Sequence, residues 1–183
     1  MDTYKKNFIF TKTENLVFRV LSIHSGEELS KRKIAGLLKI SPTSVANIIK
    51  KFERYGFVKE KRISKNLSFV ELNRENDLAI DLKRVENLKM LYESGLKEYL
   101  SEKFPGSLII LFGSYAYGED TTGSDIDIAI IGYKKKEIDL KKFEDFLKRK
   151  IRLNFYEDIN KIDKSLRANL FNGIVLKGRI VLK

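Results

Sequence analysis

Two apolar runs of strand length, residues 107–112 and 126–131, enclose a segment that opens on Gly113-Ser114 and closes on Ser124-Asp125-Ile126-Asp127. No other stretch restricts the fold as much. A strand running directly into Gly-Ser predicts a tight turn at a helix start, where backbone N–H groups face an anion. Glycine at 113 lets the main chain approach a phosphate closely, and the Ser114 hydroxyl adds a donor. The second run alternates, so Asp125 and Asp127 are predicted on one face and Ile126 and Ile128 on the other. Single residues here also carry plainer readings. Gly118 and Gly123 serve equally as turn formers, and Tyr115 and Tyr117 as packing residues.

Paired carboxylates at a strand end suit a hard, oxygen-ligated cation such as Mg²⁺. A phosphate cradle beside carboxylate-held metals is the equipment for in-line nucleotidyl transfer. One metal activates the attacking oxygen while the other steadies the triphosphate and its leaving group. The third apolar strand, 151–156, alternates as well. Ile151, Leu153 and Phe155 form its apolar face, and Arg152, Asn154 and Tyr156 lie on the opposite face.

The net charge of +11 is unevenly spread: residues 1–74 hold 16 Lys/Arg against 7 Asp/Glu, residues 75–103 hold 5 against 7, and residues 104–183 hold 15 against 11. The basic excess in the first segment would attract a polyanion, although lysine-rich solvated surfaces give the same balance. In that segment Leu16, Val17, Val20 and Leu21 mark one helix, and Ser30 caps a second that carries Ile34, Leu37 and Leu38. Ser41-Pro42 opens a third with Val45, Ile48, Ile49 and Phe52, which Gly56 ends. Two alternating runs, 57–63 and 67–72, follow around a turn at Ser64-Lys65-Asn66.

Three helices and a hairpin in that order resemble the winged helix-turn-helix family, with residues 28–58 as the helix-turn-helix. On the third helix Thr43, Ser44 and Asn47 are placed for base edges, and Lys50, Lys51 and Arg54 for phosphates of double-stranded DNA. The wing adds Lys59, Lys61, Arg62 and Lys65. A protein-binding winged helix is the other reading of the same surface. Residues 75–103 contain no proline and read as one amphipathic linking helix. Its stripe of Leu78, Leu82, Val85, Leu88, Tyr92, Leu96 and Tyr99 suits either a neighbouring domain or a homodimer seam. Phe104-Pro105-Gly106 ends it.

The set Gly113, Ser114, Gly118, Ser124, Asp125 and Asp127 resembles the DNA polymerase β-type nucleotidyltransferase superfamily, in particular its minimal members, over residues 104–183. The resemblance implies phosphate contacts from Gly113, Ser114 and Ser124, Mg²⁺ on the catalytic Asp125 and Asp127, and a nucleoside triphosphate, ATP first, as nucleotide donor. It also implies a third carboxylate on a later strand. The strand 151–156 has none, and only Glu157 and Asp158 lie nearby. Minimal members include antitoxins that adenylylate a HEPN-type toxin, so a protein acceptor is implied too. If transfer is lost, the same parts describe a DNA-binding regulator with a nucleotide-sensing or inactive domain.

The expected fold class is therefore α/β (α+β), with three parts. These are a winged helix over 1–74, a linking helix over 75–103 and a nucleotidyltransferase fold with a mixed sheet over 104–183. The absence of cysteine excludes disulfides and thiolate metal sites, and His24 is the single histidine. No apolar run reaches the roughly 20 residues of a membrane span. The first residues lead into no signal-type apolar core, and the chain is expected to be cytoplasmic.

Overall fold

The computed structural model describes residues 9–64 and 67–181. Contacts divide the chain into two units, Met1–Asn73 and Arg74–Lys183. In the first, helix α1 (Lys12–Ile23) begins with a reciprocal cap in which Thr11 and Glu14 satisfy each other's backbone N–H. A two-residue strand β1 (Leu29–Ser30) precedes α2 (Lys31–Leu38) and α3 (Pro42–Arg54). Strands β2 (Val58–Ser64) and β3 (Leu67–Leu72) complete an antiparallel sheet of order β1-β3-β2. The Ser30 and Ser41 caps and the left-handed Gly56 stand where the sequence places them. Strand β1 was not foreseen, because two residues are too few to alternate. Val17, Ile34, Val45, Ile49, Phe52 and Phe57 fill the core. Leu16 and Leu37, expected inside, remain exposed.

The second unit begins with α4 (Asp77–Glu93) and α5 (Leu96–Lys103). The expected single linking helix is thus two helices, broken at Ser94-Gly95, where Gly95 takes a left-handed φ of 74°. Glycine is the residue least penalised for that break. The face of α4 that is buried also differs from the predicted stripe. Ala79, Lys83, Asn87, Met90 and Leu91 point inward, while Leu78, Val85 and Tyr92 are exposed. Polar partners inside the unit, described below, override the apolar periodicity.

After α5 come β4 (Leu108–Phe112), the short helix α6 (Gly113–Tyr117), β5 (Ile126–Ile131), α7 (Lys141–Leu147), β6 (Ile151–Tyr156), α8 (Lys164–Phe171) and β7 (Ile174–Lys177). The sheet order is β6-β5-β4-β7. The β5/β6 pair is parallel and the other two are antiparallel, giving the mixed sheet. Ile126, Ile128 and Ile130 are fully buried on one face of β5. On the other, Ala129 and Ile131 join Leu108, Ile110, Ile159, Ile162 and Leu170 in a core. Asp127 shares that second face, at the end of the strand where the core stops. Among the described residues no helix is long and apolar enough to cross a membrane.

Candidate functional site

The β4/β5 register pairs Phe112 with Asp127, which brings the next residue, Gly113, against the Asp127 side chain. Gly113 has φ 74°, and a Cβ built on it would lie 3.1 Å from Asp127 Oδ2. Any other residue would be strained in backbone and crowded by the carboxylate. The Gly113-Ser114 turn and Asp127 therefore meet. Helix α6 has only five residues, so the turn offers first-turn N–H groups rather than a long dipole. Asp125 stands just before β5. The Ser124 hydroxyl, expected to face a nucleotide, accepts from Thr121 N at 2.9 Å and closes the turn that delivers Asp125. A cleft of about 500 Å³ opens beside Ser124 and Asp125 and runs to α7, where Lys141 pairs with Asp145 and Lys150 with Glu144.

Strand β6 lies parallel to β5 with Arg152 opposite Asp127. Alternation turns Arg152, Asn154 and Tyr156 off the apolar face, as the sequence predicts, and to the Asp127 side. Arg152 Nη2 sits 2.6 Å from Asp125 Oδ2, with the guanidinium side chain 64% and the carboxylate side chain 30% exposed. Burial raises the Asp127 carboxyl above its ordinary range. The Arg152 charge pulls it back, Asp125 pushes it up, and the Asn154 amide lowers it further. Burial, and then the charges of Asp127 and Asp163, raise the Tyr156 phenol.

The two acids that could have served as a third carboxylate lie at the far end of β6, beyond Tyr156, which pairs with Ile131 and not with Asp127. Glu157 pairs with Lys134 at 3.6 Å, and Asp158 accepts from Asn160 N at 2.9 Å. No group of three or more His, Cys, Asp or Glu suited to a metal exists among the described residues. Asp125, Asp127 and Arg152 leave the cluster a single net negative charge. Two carboxylates are oxygen donors of the kind a hard divalent cation takes.

Sequence reasoning missed a second acidic centre, which is fully internal. Asp120 Oδ1 accepts from Lys83 Nζ and, at 2.7 Å, from Asn87 Nδ2. Its Oδ2 accepts from Arg149 Nε at 3.3 Å and Nη2 at 3.1 Å. Asn87 also donates to Tyr115 O, and the Tyr115 hydroxyl donates to Asn87 O. Burial lowers the Lys83 ammonium to about 8, although the Asp120 charge opposes the shift. Gly118 lets α4 close in, since a Cβ there would sit 2.5 Å from Ile80 O. These contacts tie α4 to α6 and to the loop that leads to Asp125. The available signal was Lys83 and Asn87, a polar pair one helical turn apart.

In the first unit Thr43, Asn47, Lys50 and Arg54 share an exposed face of α3, and Ser44 is half-buried. Lys51 departs from its expected phosphate role. Its Nζ lies 2.8 Å from Glu14 Oε1, because Glu14 is buried and needs a cation. Burial alone would raise the Glu14 carboxyl, but the bonds from Lys51 and Thr11 outweigh it and hold it low. On the wing Lys59 is exposed, Lys61 is 3.4 Å from Glu28, and Arg62 is 3.7 Å from Glu60. The Lys61–Glu28 pair is exposed on both sides and worth roughly 0–1 kcal/mol, so a phosphate can replace it, whereas the Glu60 side chain is buried and also holds Lys31. Lys65 lies outside the described residues.

Residues 93–177 match the family model of the nucleotidyltransferase domain. The match takes in α5, which the sequence reading had assigned to a linker. Three solved structures are similar to this chain. A zinc-responsive MarR family member from Lactococcus lactis, ZitR, is 25% identical, with 56% of this chain and 68% of that chain covered and a TM-score of 0.39. MepR, a transcription regulator of the Staphylococcus aureus multidrug efflux pump MepA, is 16% identical, with 53% and 67% covered and a TM-score of 0.39. Wild-type L. lactis ZitR in complex with DNA is 20% identical, with 55% and 66% covered and a TM-score of 0.40. At these scores the winged-helix assignment of the first unit rests on its own order of helices and strands. No curated protein matches the chain.

Proposed function

We propose that this chain binds double-stranded DNA through its first unit and a nucleoside triphosphate, ATP first among candidates, through its second. The observation that carries the nucleotide half is the meeting of Gly113 with Asp127, a close main-chain approach set against a carboxylate. Gly113 and Ser114 would receive the phosphates, and Asp125 and Asp127 would hold Mg²⁺. Bound there, Mg²⁺ would screen the triphosphate from the two acids. The cleft beside Asp125 has room for the rest of the nucleotide. On the DNA side Thr43 and Asn47 would meet base edges, while Lys50, Arg54 and the wing cations hold phosphates. With no third carboxylate beside the pair among the described residues, the nucleotide would act as a signal. Gel-shift titration over a range of salt, with and without Mg-ATP, tests this. Binding that falls steeply with salt and changes with nucleotide, without turnover, is expected. Binding indifferent to salt refutes the DNA half.

A second reading, nucleotidyl transfer, is favoured by the same Gly113–Asp127 meeting. It requires an acceptor, such as a HEPN-type protein, that brings its own carboxylate or base. Loss of a general base alone typically slows a reaction roughly 10²–10⁴-fold, so slow transfer would survive. Incubation with α-labelled ATP and acceptor distinguishes the two. Covalent label abolished by Asp125→Asn or Asp127→Asn establishes transfer, and its absence leaves the sensor. The exposed Leu78, Val85 and Tyr92 would serve as the homodimer seam.

A further inference from the structure

The third side chain to reach the acidic pair is basic, and its position is set by the fold. Arg152 lies on β6 directly across from Asp127, on the same sheet face, and its guanidinium binds Asp125 at 2.6 Å. In a site that uses two metals, the cations stand roughly 3.5–4 Å apart and are bridged by shared oxygens. The Arg152 guanidinium on Asp125 Oδ2 already supplies a fixed positive charge to the acidic pair. We infer that Arg152 takes the place of one divalent cation, so that the site accepts a nucleoside triphosphate with a single cation. This inference rests on the reading of Asp125 and Asp127 as cation ligands facing a nucleotide.

The substitution has a chemical consequence. A guanidinium neutralises phosphate charge and orients it through a planar fork of donors. It does not act as a Lewis acid, so it cannot lower the pKa of an attacking hydroxyl as a metal does. A site built this way retains most of the electrostatic attraction for a triphosphate and loses the group that would activate an acceptor. Binding without consumption follows, which is the behaviour a sensor requires. The high exposure of Arg152 leaves its outer donors accessible to a phosphate oxygen.

Counting Mn²⁺ by electron paramagnetic resonance on the full chain tests this, with the α,β-methylene analogue of ATP as the probe. The wild type is expected to bind one Mn²⁺ per chain with the analogue. Arg152→Asp is expected to bind two with it and one without it. Arg152→Gln, which keeps the size and removes the charge, is expected to bind Mn²⁺ without nucleotide roughly tenfold more tightly than the wild type. Two Mn²⁺ on the wild type, or variants that match it in number and affinity, would overturn the inference. Failure of the wild type to bind the analogue at all would instead remove the nucleotide reading. The nucleotide-free comparison would still decide the role of Arg152.

Discussion

The second unit contains two acidic centres, each with an arginine, and they are built in opposite ways. Asp120 is 1% exposed, and both of its oxygens are occupied by Lys83, Asn87 and Arg149. Asp125 and Asp127 are half-buried, and one exposed arginine neutralises only part of their charge. A saturated buried carboxylate has nothing left to offer a ligand, so its role is to hold the structure together. Asp125 lines a cleft, and the under-neutralised pair it forms with Asp127 is tolerated at some expense of stability, as perturbed acids at functional sites are. Acid residues so close in sequence thus sit in opposite environments, and burial separates them.

Removing one acid from each centre should separate these roles. Asp120→Ala leaves Lys83 and Arg149 buried without their counter-ion and should destabilise the second unit by roughly 3–5 kcal/mol, read by calorimetric unfolding. Loss below about 1 kcal/mol would mean that the internal network is not structural. Gly118→Ala forces a left-handed residue against the Ile80 carbonyl and should cost about 1–3 kcal/mol in the same assay. Asp127→Asn should weaken Mg-ATP binding more than about tenfold. Because burial raises this carboxyl, its charge opposes folding at neutral pH. The same variant should therefore gain a little stability, under about 1 kcal/mol after solvent screening. A clear loss of stability would place Asp127 with Asp120.

The internal centre also predicts a pH dependence. Burial lowers Lys83 to about 8 in the folded state from its ordinary value of 10.5. Between those values the unfolded chain holds more protons, so Lys83 makes stability rise with pH from about 8 to 10.5. Lys83→Met should remove that rise in denaturation measured across the window. An unchanged slope would assign the rise to other groups.

Legibility in the sequence followed the locality of the signal. Ser41-Pro42, Gly56 and the strands over 126–131 and 151–156 depend on neighbours in sequence, and their predicted places hold. That Arg152 lies opposite the apolar face of its strand also followed from alternation. Its bond to Asp125 did not, because that depends on the parallel register of β5 and β6. The stripe on α4 misled for the same reason. Leu78, Val85 and Tyr92 have the right spacing, but the strongest partners inside the unit are Asp120 and the Tyr115 carbonyl, which bring Lys83 and Asn87 inward. Lys51 had the composition of a phosphate ligand, and only the fold shows that Glu14 claims it. The break at Gly95 was a local signal overlooked, as was the polar pair Lys83 and Asn87.

Isothermal calorimetry of the full chain with ATP and millimolar Mg²⁺, wild type beside Asp127→Asn, addresses the claim that the Gly113-Ser114 turn and its facing acids form a nucleotide site. Saturable uptake of one nucleotide per chain that the substitution weakens more than about tenfold is the predicted result. Equal uptake by both proteins, or none by the wild type, would contradict it.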